Sequence, residues 1–394
     1  MRNMIKVLYF IGYPFNMAGS QRQIFELILS LPKDEVKPLV LLTEEAGVSE
    51  FCKKHDVDYS IINLPDGLNQ YGKKLVYSSL ATKLRLLFLD YSRYTKTLSG
   101  FLKNESIDLI HCNDPRATML IGVAARLNNL KIVGHLQGER PFKSRLWRLY
   151  EWIPSRFILN AKFIRSSLSA RANKIADVIY TGIETPKHVT VYRDDTVVIS
   201  CFASIVPFKG QHHLIQAIAL LNKRSVGINT RYYLVGASPD EYKHYLEFLN
   251  NLIKQFEIKN VQLEGWTNNP YEYYSKSDIT VLPSIHKETL NYRGTDEDII
   301  GNEGFPTTHL EAMHFSLPVV GTNIAGVGEQ IIDGENGFLV EPSSPIALAD
   351  ALQKLIEDDV LRRKMGTCGK MIVEKKFSKE EYVKKVLNIY RSIF

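Results

Sequence analysis

The feature that most constrains this chain is an alternation of strand-like and helix-like segments that runs through the first 180 residues and then begins again. Short apolar runs followed by segments with apolar residues every three or four positions are the pattern of parallel sheets wound by crossover helices. Ile5 to Ile11 is such a run. The segment SQRQIFELILSLP follows it, with Ile24, Leu27, Ile28 and Leu31 at helical spacing. Ser20 with Gln23 three residues on predicts a capping box, and Pro32 predicts the helix end. Further strands are predicted at 37–42, 59–64, 108–112, 131–136 and 178–180. After Thr181-Gly182 and the polar stretch IETPKHVTVYRDD, the series resumes. Strands are predicted at 197–202, 232–235, 261–264, 279–282 and 319–321, and helices at 211–222 and 242–256. The chain closes in SKEEYVKKVLNIYRSIF, an amphipathic helix with a cap at Ser378. Its 394 residues exceed the roughly 250–300 at which one core stops growing, so two doubly wound α/β domains are expected. Sheets of this kind bind ligands at the carboxyl ends of their strands, here in a cleft between the domains.

Composition removes several classes. The apolar run Val7 to Ile11 is too short for a signal peptide and is broken by Gly12 and Pro14. The apolar stretches at 117–127 and 197–208 fall short of the roughly 20 residues that cross a bilayer. Cys52, Cys112, Cys201 and Cys368 lie far apart, without zinc-site or disulfide-scaffold spacing, which fits a reducing, cytoplasmic compartment. The net charge of +6 is uneven: residues 1–200 carry 28 Lys+Arg against 19 Asp+Glu, and residues 201–394 carry 21 against 24. Between Arg140 and Lys174 nine basic residues accompany a single acid, Glu151, interleaved with Phe142, Trp147, Tyr150, Trp152, Phe157 and Phe163. That segment suits an anionic membrane surface and peripheral attachment at the inner face of the cell membrane; a solvated helix face over a core is the other reading. No nucleic-acid-binding signature accompanies it, so nucleic acid is not an expected partner.

The most informative stretch is NEGFPTTHLEAMHFSLPVVGTNIAGVGEQIIDGENGFLVEP, residues 302–342. Pro306 is placed to open a helix whose first turn holds Thr307 and Thr308, an amide-rich terminus suited to a diphosphate. Glu303 and Glu311 flank it. Carboxylates beside phosphate are better suited to accept hydrogen bonds from sugar and ribose hydroxyls; two solvated glutamates on a surface helix are the alternative. In FASIVPFKGQHHLIQAIALL, Lys209-Gly210 stands between a strand end and a helix, where an ammonium can neutralise phosphate.

In order along the chain, FNMAGSQRQIFEL, DLIHCNDPRA, IVGHLQGE, DVIYTGIE, VPFKG, YYLVGAS, VQLEGWTNN, DITVLPS, EGFPTTHLEAM and GENGFLVEP resemble the retaining, sugar-nucleotide-dependent glycosyltransferases of family 4, of the bacterial surface-polysaccharide type. The resemblance implies the GT-B fold: an N-terminal acceptor-binding Rossmann-like domain over 1–187, a nucleotide-sugar-binding Rossmann-like domain over 188–377, and a C-terminal helix over 378–394 packing back on the first. It implies that Lys209 binds the donor diphosphate with the amides of Thr307 and Thr308. Glu311 would bind the ribose hydroxyls, and Glu303 the transferred sugar, with the backbone of Gly304, Phe305 and Pro306 against its ring. Gly265 and Trp266 would lie near the base, although a buried Trp266 under the sheet is the competing reading. Ala18-Gly19 matches the loop at which phosphate and acceptor approach the backbone.

Two departures stand out. Many relatives carry an arginine where this chain has Ser204, leaving Lys209 and the helix terminus with the diphosphate. The catalytic-site histidine at the end of an N-terminal strand maps to Gln137, with His135 two residues earlier; His135 as an ordinary strand histidine stays open beside a catalytic role for either. A third oddity is HKETLNYRGTDEDIIGN, longer than most relatives have between Ser284 and Glu303 and expected to be a lid or acceptor-contacting loop. The implied reaction moves a sugar from a UDP- or GDP-sugar to a glycan or lipid-linked acceptor, with no cofactor and no metal. A sugar-nucleotide epimerase of the same fold, or a non-catalytic nucleotide-sugar-binding subunit, are the rival functions.

Overall fold

The structure is a computed structural model that describes residues 4–15, 19–69, 86–138, 145–184, 195–226, 229–301 and 303–394. The chain divides into two compact units, Met1–Ile179 with Tyr382–Phe394, and Tyr180–Glu381.

The first unit contains a seven-stranded parallel sheet of β1 (Ile5–Ile11), β2 (Val36–Leu42), β3 (Tyr59–Ile61), β4 (Leu109–Cys112), β5 (Lys131–Leu136), β6 (Arg156–Leu159) and β7 (Ala176–Val178), in the order β3-β2-β1-β4-β5-β6-β7. The central strand β1 reads IKVLYFI because both its faces are covered from Val7 onward, and its one charged residue, Lys6, stands at the partly exposed start. On one face Tyr9 and Ile11 pack with Phe25 and Leu27 of the helix Gly19–Ser30 and with Val386 and Tyr390 of the C-terminal helix Lys379–Ser392. On the other, Leu8 and Phe10 pack with Leu98 and Ile121.

The second unit holds a six-stranded parallel sheet of β8 (Val197–Phe202), β9 (Thr230–Val235), β10 (Val261–Gly265), β11 (Ile279–Leu282), β14 (Val319–Thr322) and β15 (Gly337–Val340), in the order β10-β9-β8-β11-β14-β15. A separate antiparallel hairpin, β12 (Lys287–Asn291) and β13 (Asp296–Ile300), lies between β11 and β14 in sequence. In both sheets the order of strand addition reverses once, at β1/β4 in the first and at β8/β11 in the second. Those are the points where ligand crevices form in doubly wound sheets.

Some expectations change. The helix Gly19–Ser30 includes Ser20 and Gln23, and the Ser20 side chain on which the predicted capping box rests lies outside the described residues. The strand predicted at 178–180 is β7, ending at Val178 where its pairing with Leu159 ends. In the basic segment, β6 and the core around it claim Tyr150, Phe157 and part of Phe163, which turn inward. Trp152 is exposed, with the Arg171 guanidinium 4.0 Å over its ring. Phe142 and the Trp147 side chain lie outside the described residues. Ser378 caps the last helix as expected, accepting the Glu381 N–H at 3.3 Å. Among the described residues no helix is long and apolar enough to cross a membrane.

Candidate active site

In the second unit the chain leaves β8 at Phe202, passes Ala203 and Ser204, makes a 3-10 turn over Pro207–Lys209, and enters the helix Gln211–Lys223 through Gly210. Gly210 has φ of 68°, and a Cβ there would stand 2.0 Å from the Pro283 carbonyl oxygen at the end of β11. The close approach of the two strand ends therefore requires glycine. It brings Lys209 to the mouth of the sheet, where its Nζ lies 2.6 Å from Glu303 Oε2, and Ser284 Oγ donates to the same oxygen at 2.6 Å. Thr322 Oγ1 donates to the Ser284 carbonyl at 2.5 Å. Burial pushes the Glu303 carboxyl up, but the charge and hydrogen bond of Lys209, with Ser284, outweigh it and hold it below the usual carboxylate range. Glu303 is thus an enclosed anion with a fixed cationic partner, not a solvated surface glutamate.

Two hydrogen bonds fix the loop after Glu303: Gly326 N–H to the Gly304 carbonyl at 3.0 Å, and Gln330 Nε2 to the Pro306 carbonyl at 3.0 Å. Gln330 Oε1 lies 3.0 Å from His309 Nδ1, and burial lowers that imidazole to about 4, so it is neutral near pH 7. Phe305 is buried, stacked on Tyr180 at 5.2 Å and edge-on to Phe377 at 5.5 Å. Pro306 takes the N-cap of the helix Thr307–His314, so the amides of its first turn lie in the segment that follows Glu303 directly. One turn on, Glu311 Oε2 accepts from Tyr274 OH at 3.0 Å, and Tyr274 stacks on Phe202 at 3.8 Å. The Tyr274 ring thus ties Glu311 to the end of β8. Ser204 is exposed, its carbonyl held by Gln211 Nε2 at 2.8 Å.

Gly265 and Trp266 stand at the end of the edge strand β10, where Gly265 with φ of 71° turns the chain off the sheet. Trp266 is 66% exposed, its Nε1 donating to Asn268 Oδ1 at 3.1 Å. This corrects the reading of a buried Trp266, because no layer covers the end of an edge strand.

In the first unit, Asp114 closes the switch point at β1/β4. Its carboxylate accepts the Gly12 N–H at 3.0 Å and the Ala117 N–H at 2.8 Å, and Arg116 Nη1 donates to the Gly12 carbonyl at 2.9 Å. Sequence reasoning passed over Asp114; the aspartate before Pro115 at a helix start was its signal. His135 and Gln137 separate. His135 is 1% exposed, its Nδ1 3.3 Å from His111 Nε2, and burial lowers it to about 4. Gln137, just past β5, is partly exposed and donates from Nε2 to Asn113 Oδ1 at 2.7 Å. His135 thus belongs to a buried polar chain, continuing from His111 Nδ1 to Tyr390 OH at 2.6 Å and on to Tyr9 OH at 3.0 Å. Gly19 is the first residue of its helix and is exposed; Ala18 lies outside the described residues.

The segment expected to be a loop before Glu303 is the hairpin β12–β13. Tyr292 OH donates to Glu297 Oε2 at 3.0 Å and Arg293 lies 3.5 Å from Glu297 Oε1. With Phe208 and Tyr242 the hairpin lines an open cavity of about 360 Å³ next to Lys209, walled also by Glu241 and Asp298.

Residues 17–187 match the Glycosyltransferase Family 4 profile, and residues 184–371 match Glycosyl transferases group 1. The capsular polysaccharide biosynthesis glycosyltransferase CapM of Staphylococcus aureus is 26% identical over 88% of this chain and 93% of its own length. An uncharacterised glycosyltransferase of Methanocaldococcus jannaschii, MJ1178, is 28% identical over 75% and 78%. Among solved structures, a glycosyltransferase from Rickettsia africae superposes with a TM-score of 0.80 at 19% identity, covering 99% of both chains. Anabaena HepE, solved with UDP and glucose, superposes with a TM-score of 0.77 at 19% identity, covering 98% of this chain and all of its own. With two adjoining profiles spanning residues 17–371 and a pair of Rossmann-like sheets in the matching order, this chain belongs to the family 4 glycosyltransferases of GT-B fold.

Proposed function

We propose that this glycosyltransferase moves a sugar from a UDP- or GDP-sugar to a hydroxyl of a glycan or lipid-linked acceptor, with retention at the anomeric carbon, during assembly of a bacterial surface polysaccharide. The observation that carries the reading is the cluster of Lys209, Glu303 and Ser284 at the β8/β11 switch point, with the helix from Thr307 directly after it. A diphosphate there meets an ammonium group and helix amides, and Glu303 is left to accept a hydroxyl of the transferred sugar. Glu311 takes the ribose hydroxyls, the backbone of Gly304 to Pro306 faces the sugar ring, and Gly265 with Trp266 lies toward the base. Gln137 and the loop of Ala18-Gly19 serve the acceptor side, and the buried His135 supports the strand end that carries Gln137.

Bond breaking at the anomeric carbon places charge on the diphosphate, and the acceptor hydroxyl attacks from the same face, losing its proton to the departing phosphate. Lys209 and the helix terminus supply the positive charge that this step needs, so the transfer itself calls for no metal. Losing one such stabilising group costs about 10²–10³ in rate. The surface-polysaccharide setting is supported by the likeness to CapM. Peripheral attachment at the cytoplasmic face of the membrane rests on the basic segment and the exposed Trp152.

The test is a screen of UDP- and GDP-sugars by thermal shift, followed by transfer assays with glycan acceptors and NMR of the product's anomeric proton. Lys209→Ala and Glu311→Ala are expected to remove most transfer while the fold persists. Near wild-type turnover in either folded variant, or an inverted product, overturns the assignment.

A further inference from the structure

Two adjacent histidines follow Lys209-Gly210 at the start of the helix Gln211–Lys223, and both are enclosed: His212 is 1% exposed and His213 6%. Successive residues on a helix point in different directions, yet these two rings stand 4.0 Å apart, centroid to centroid. Both Nε2 atoms face one oxygen, Glu288 Oε2 on β12, at 3.5 Å from His212 and 2.7 Å from His213. The three potential ligand atoms all lie within 4.8 Å of one another.

The opposite edge of each ring sets its proton. His213 Nδ1 is 3.3 Å from Gln216 Oε1, a carbonyl oxygen that only accepts, so Nδ1 donates there and a metal would be bound through Nε2. His212 Nδ1 is 2.8 Å from Tyr245 OH. That hydroxyl oxygen also accepts the His212 backbone N–H at 3.3 Å, and its own hydrogen has Gln211 Oε1 as an acceptor at 3.4 Å. With the outer edge of each ring held in this way, both Nε2 atoms are directed at one carboxylate oxygen; His213 Nε2 is hydrogen-bonded to it at 2.7 Å, and His212 Nε2 is buried without a hydrogen-bond partner. A cation that displaces the proton between His213 and Glu288 would meet all three atoms at once and give the buried His212 Nε2 the partner it lacks.

We propose that His212, His213 and Glu288 bind one first-row divalent transition metal of the Zn²⁺ class, fastening the hairpin β12–β13 to the helix beside Lys209. Two imidazoles and one carboxylate suit such an ion, whereas Mg²⁺ and Ca²⁺ prefer oxygen throughout. Ligand bonds of about 2.0–2.2 Å set neighbouring ligand atoms a little over 3 Å apart, so the His213–Glu288 contact opens by several tenths of an ångström on binding. Tyr245 and Gln216 act as the outer partners that orient metal-bound imidazoles. Ser343 Oγ, 3.0 Å from Glu288 Oε2, or a water completes the set. This site is structural, separate from the transfer chemistry, and independent of which donor the enzyme uses.

The experiment uses the purified full chain, stripped with a chelator and dialysed, titrated with Zn²⁺ in competition with a chromophoric chelator and in parallel with Co²⁺ followed by its visible absorption. One ion per chain is expected. Glu288→Gln, which preserves shape but removes the anionic ligand, and His213→Ala are each expected to weaken binding about 100-fold or more and to abolish the Co²⁺ band. Tyr245→Phe is expected to weaken it about 10-fold. Circular dichroism identifies the folded variants, and Glu288→Gln alone decides the matter should His213→Ala fail to fold. Failure of the wild type to take up stoichiometric metal overturns the proposal. So does binding by folded Glu288→Gln equal to wild type, which places the ion elsewhere.

Discussion

Replacing Lys209 by methionine keeps much of the side-chain volume and removes the charge beside Glu303. The two side chains are 17% and 8% exposed, so their ion pair is largely shielded from water. Removing one partner of a buried pair costs about 3–5 kcal/mol, and the residual exposure of Lys209 argues for about 3. For a unit of roughly 200 residues that corresponds to a fall of about 6–12 °C in Tm. The pH dependence is the sharper readout. In the wild type the folded Glu303 carboxyl lies below its unfolded value, so its stabilising contribution is present above the unfolded pKa of about 4.3 and is lost as pH falls through the lower folded value. Without Lys209 burial dominates, the folded pKa rises above the unfolded one, and the sign reverses: Lys209→Met gains stability as pH falls from 7 toward 4.5. The two melting curves, followed by circular dichroism across that range, therefore converge as the solution is acidified. Lys209→Met/Glu303→Gln should recover much of the loss at pH 7, because no buried charge remains. Parallel pH profiles for wild type and Lys209→Met refute the reasoning, since they mean that Glu303 is solvated or protonated regardless of Lys209.

Gly210→Ala adds a Cβ 2.0 Å from the Pro283 carbonyl at a positive φ, and the strain should lower stability in urea by about 1–3 kcal/mol while reducing transfer, because Lys209 moves with the turn. His135 is buried and held near 4, so it favours folding while neutral, and this stability disappears as pH falls from about 6.5 to 4. In His135→Gln the fall in unfolding free energy across that window should be smaller by about 3 kcal/mol, measured by denaturant titration at several pH values. Sedimentation with anionic liposomes should show binding that weakens with salt, and Trp152→Ala should reduce it; indifference to lipid charge removes the membrane reading.

The sheets were legible because their strands are buried on both faces and so read as largely apolar runs: VLYFI after Lys6 in β1, ITVL with a single threonine in β11. β6 escaped notice because RFIL lies within a basic, aromatic stretch whose charges drew attention away from four residues with a buried side. The hairpin escaped for the opposite reason. KETLN and DEDII are polar, alternate between intermediate and exposed residues, and gain their order from each other across the turn around Gly294 and from Glu288 against the two histidines. That information resides in pairs of residues about 10 and 75 positions apart, which periodicity does not report.

The same limit applies to the site. Residue type and order pointed to Lys209, Glu303, Glu311 and the helix at Thr307, because each stands beside a local marker, a Lys-Gly turn or a proline at a helix start. What they did not give was who partners whom. Glu303, considered only as a hydroxyl acceptor, is bonded to Lys209 across 94 positions, and Ser284, the last residue of DITVLPS but given no role there, completes the contact. This pairing alters the electrostatics of the proposed reaction. A diphosphate arriving at Lys209 meets an ammonium already neutralised by a buried carboxylate, so binding is an exchange of partners rather than a capture by a free charge. The exchange is favourable only if the carboxylate receives new donors as it gives up the lysine, and the hydroxyls of a sugar attached to the diphosphate are donors delivered by the same molecule. On this argument the pair favours an intact nucleotide sugar over the nucleotide alone, a preference that neither residue produces by itself.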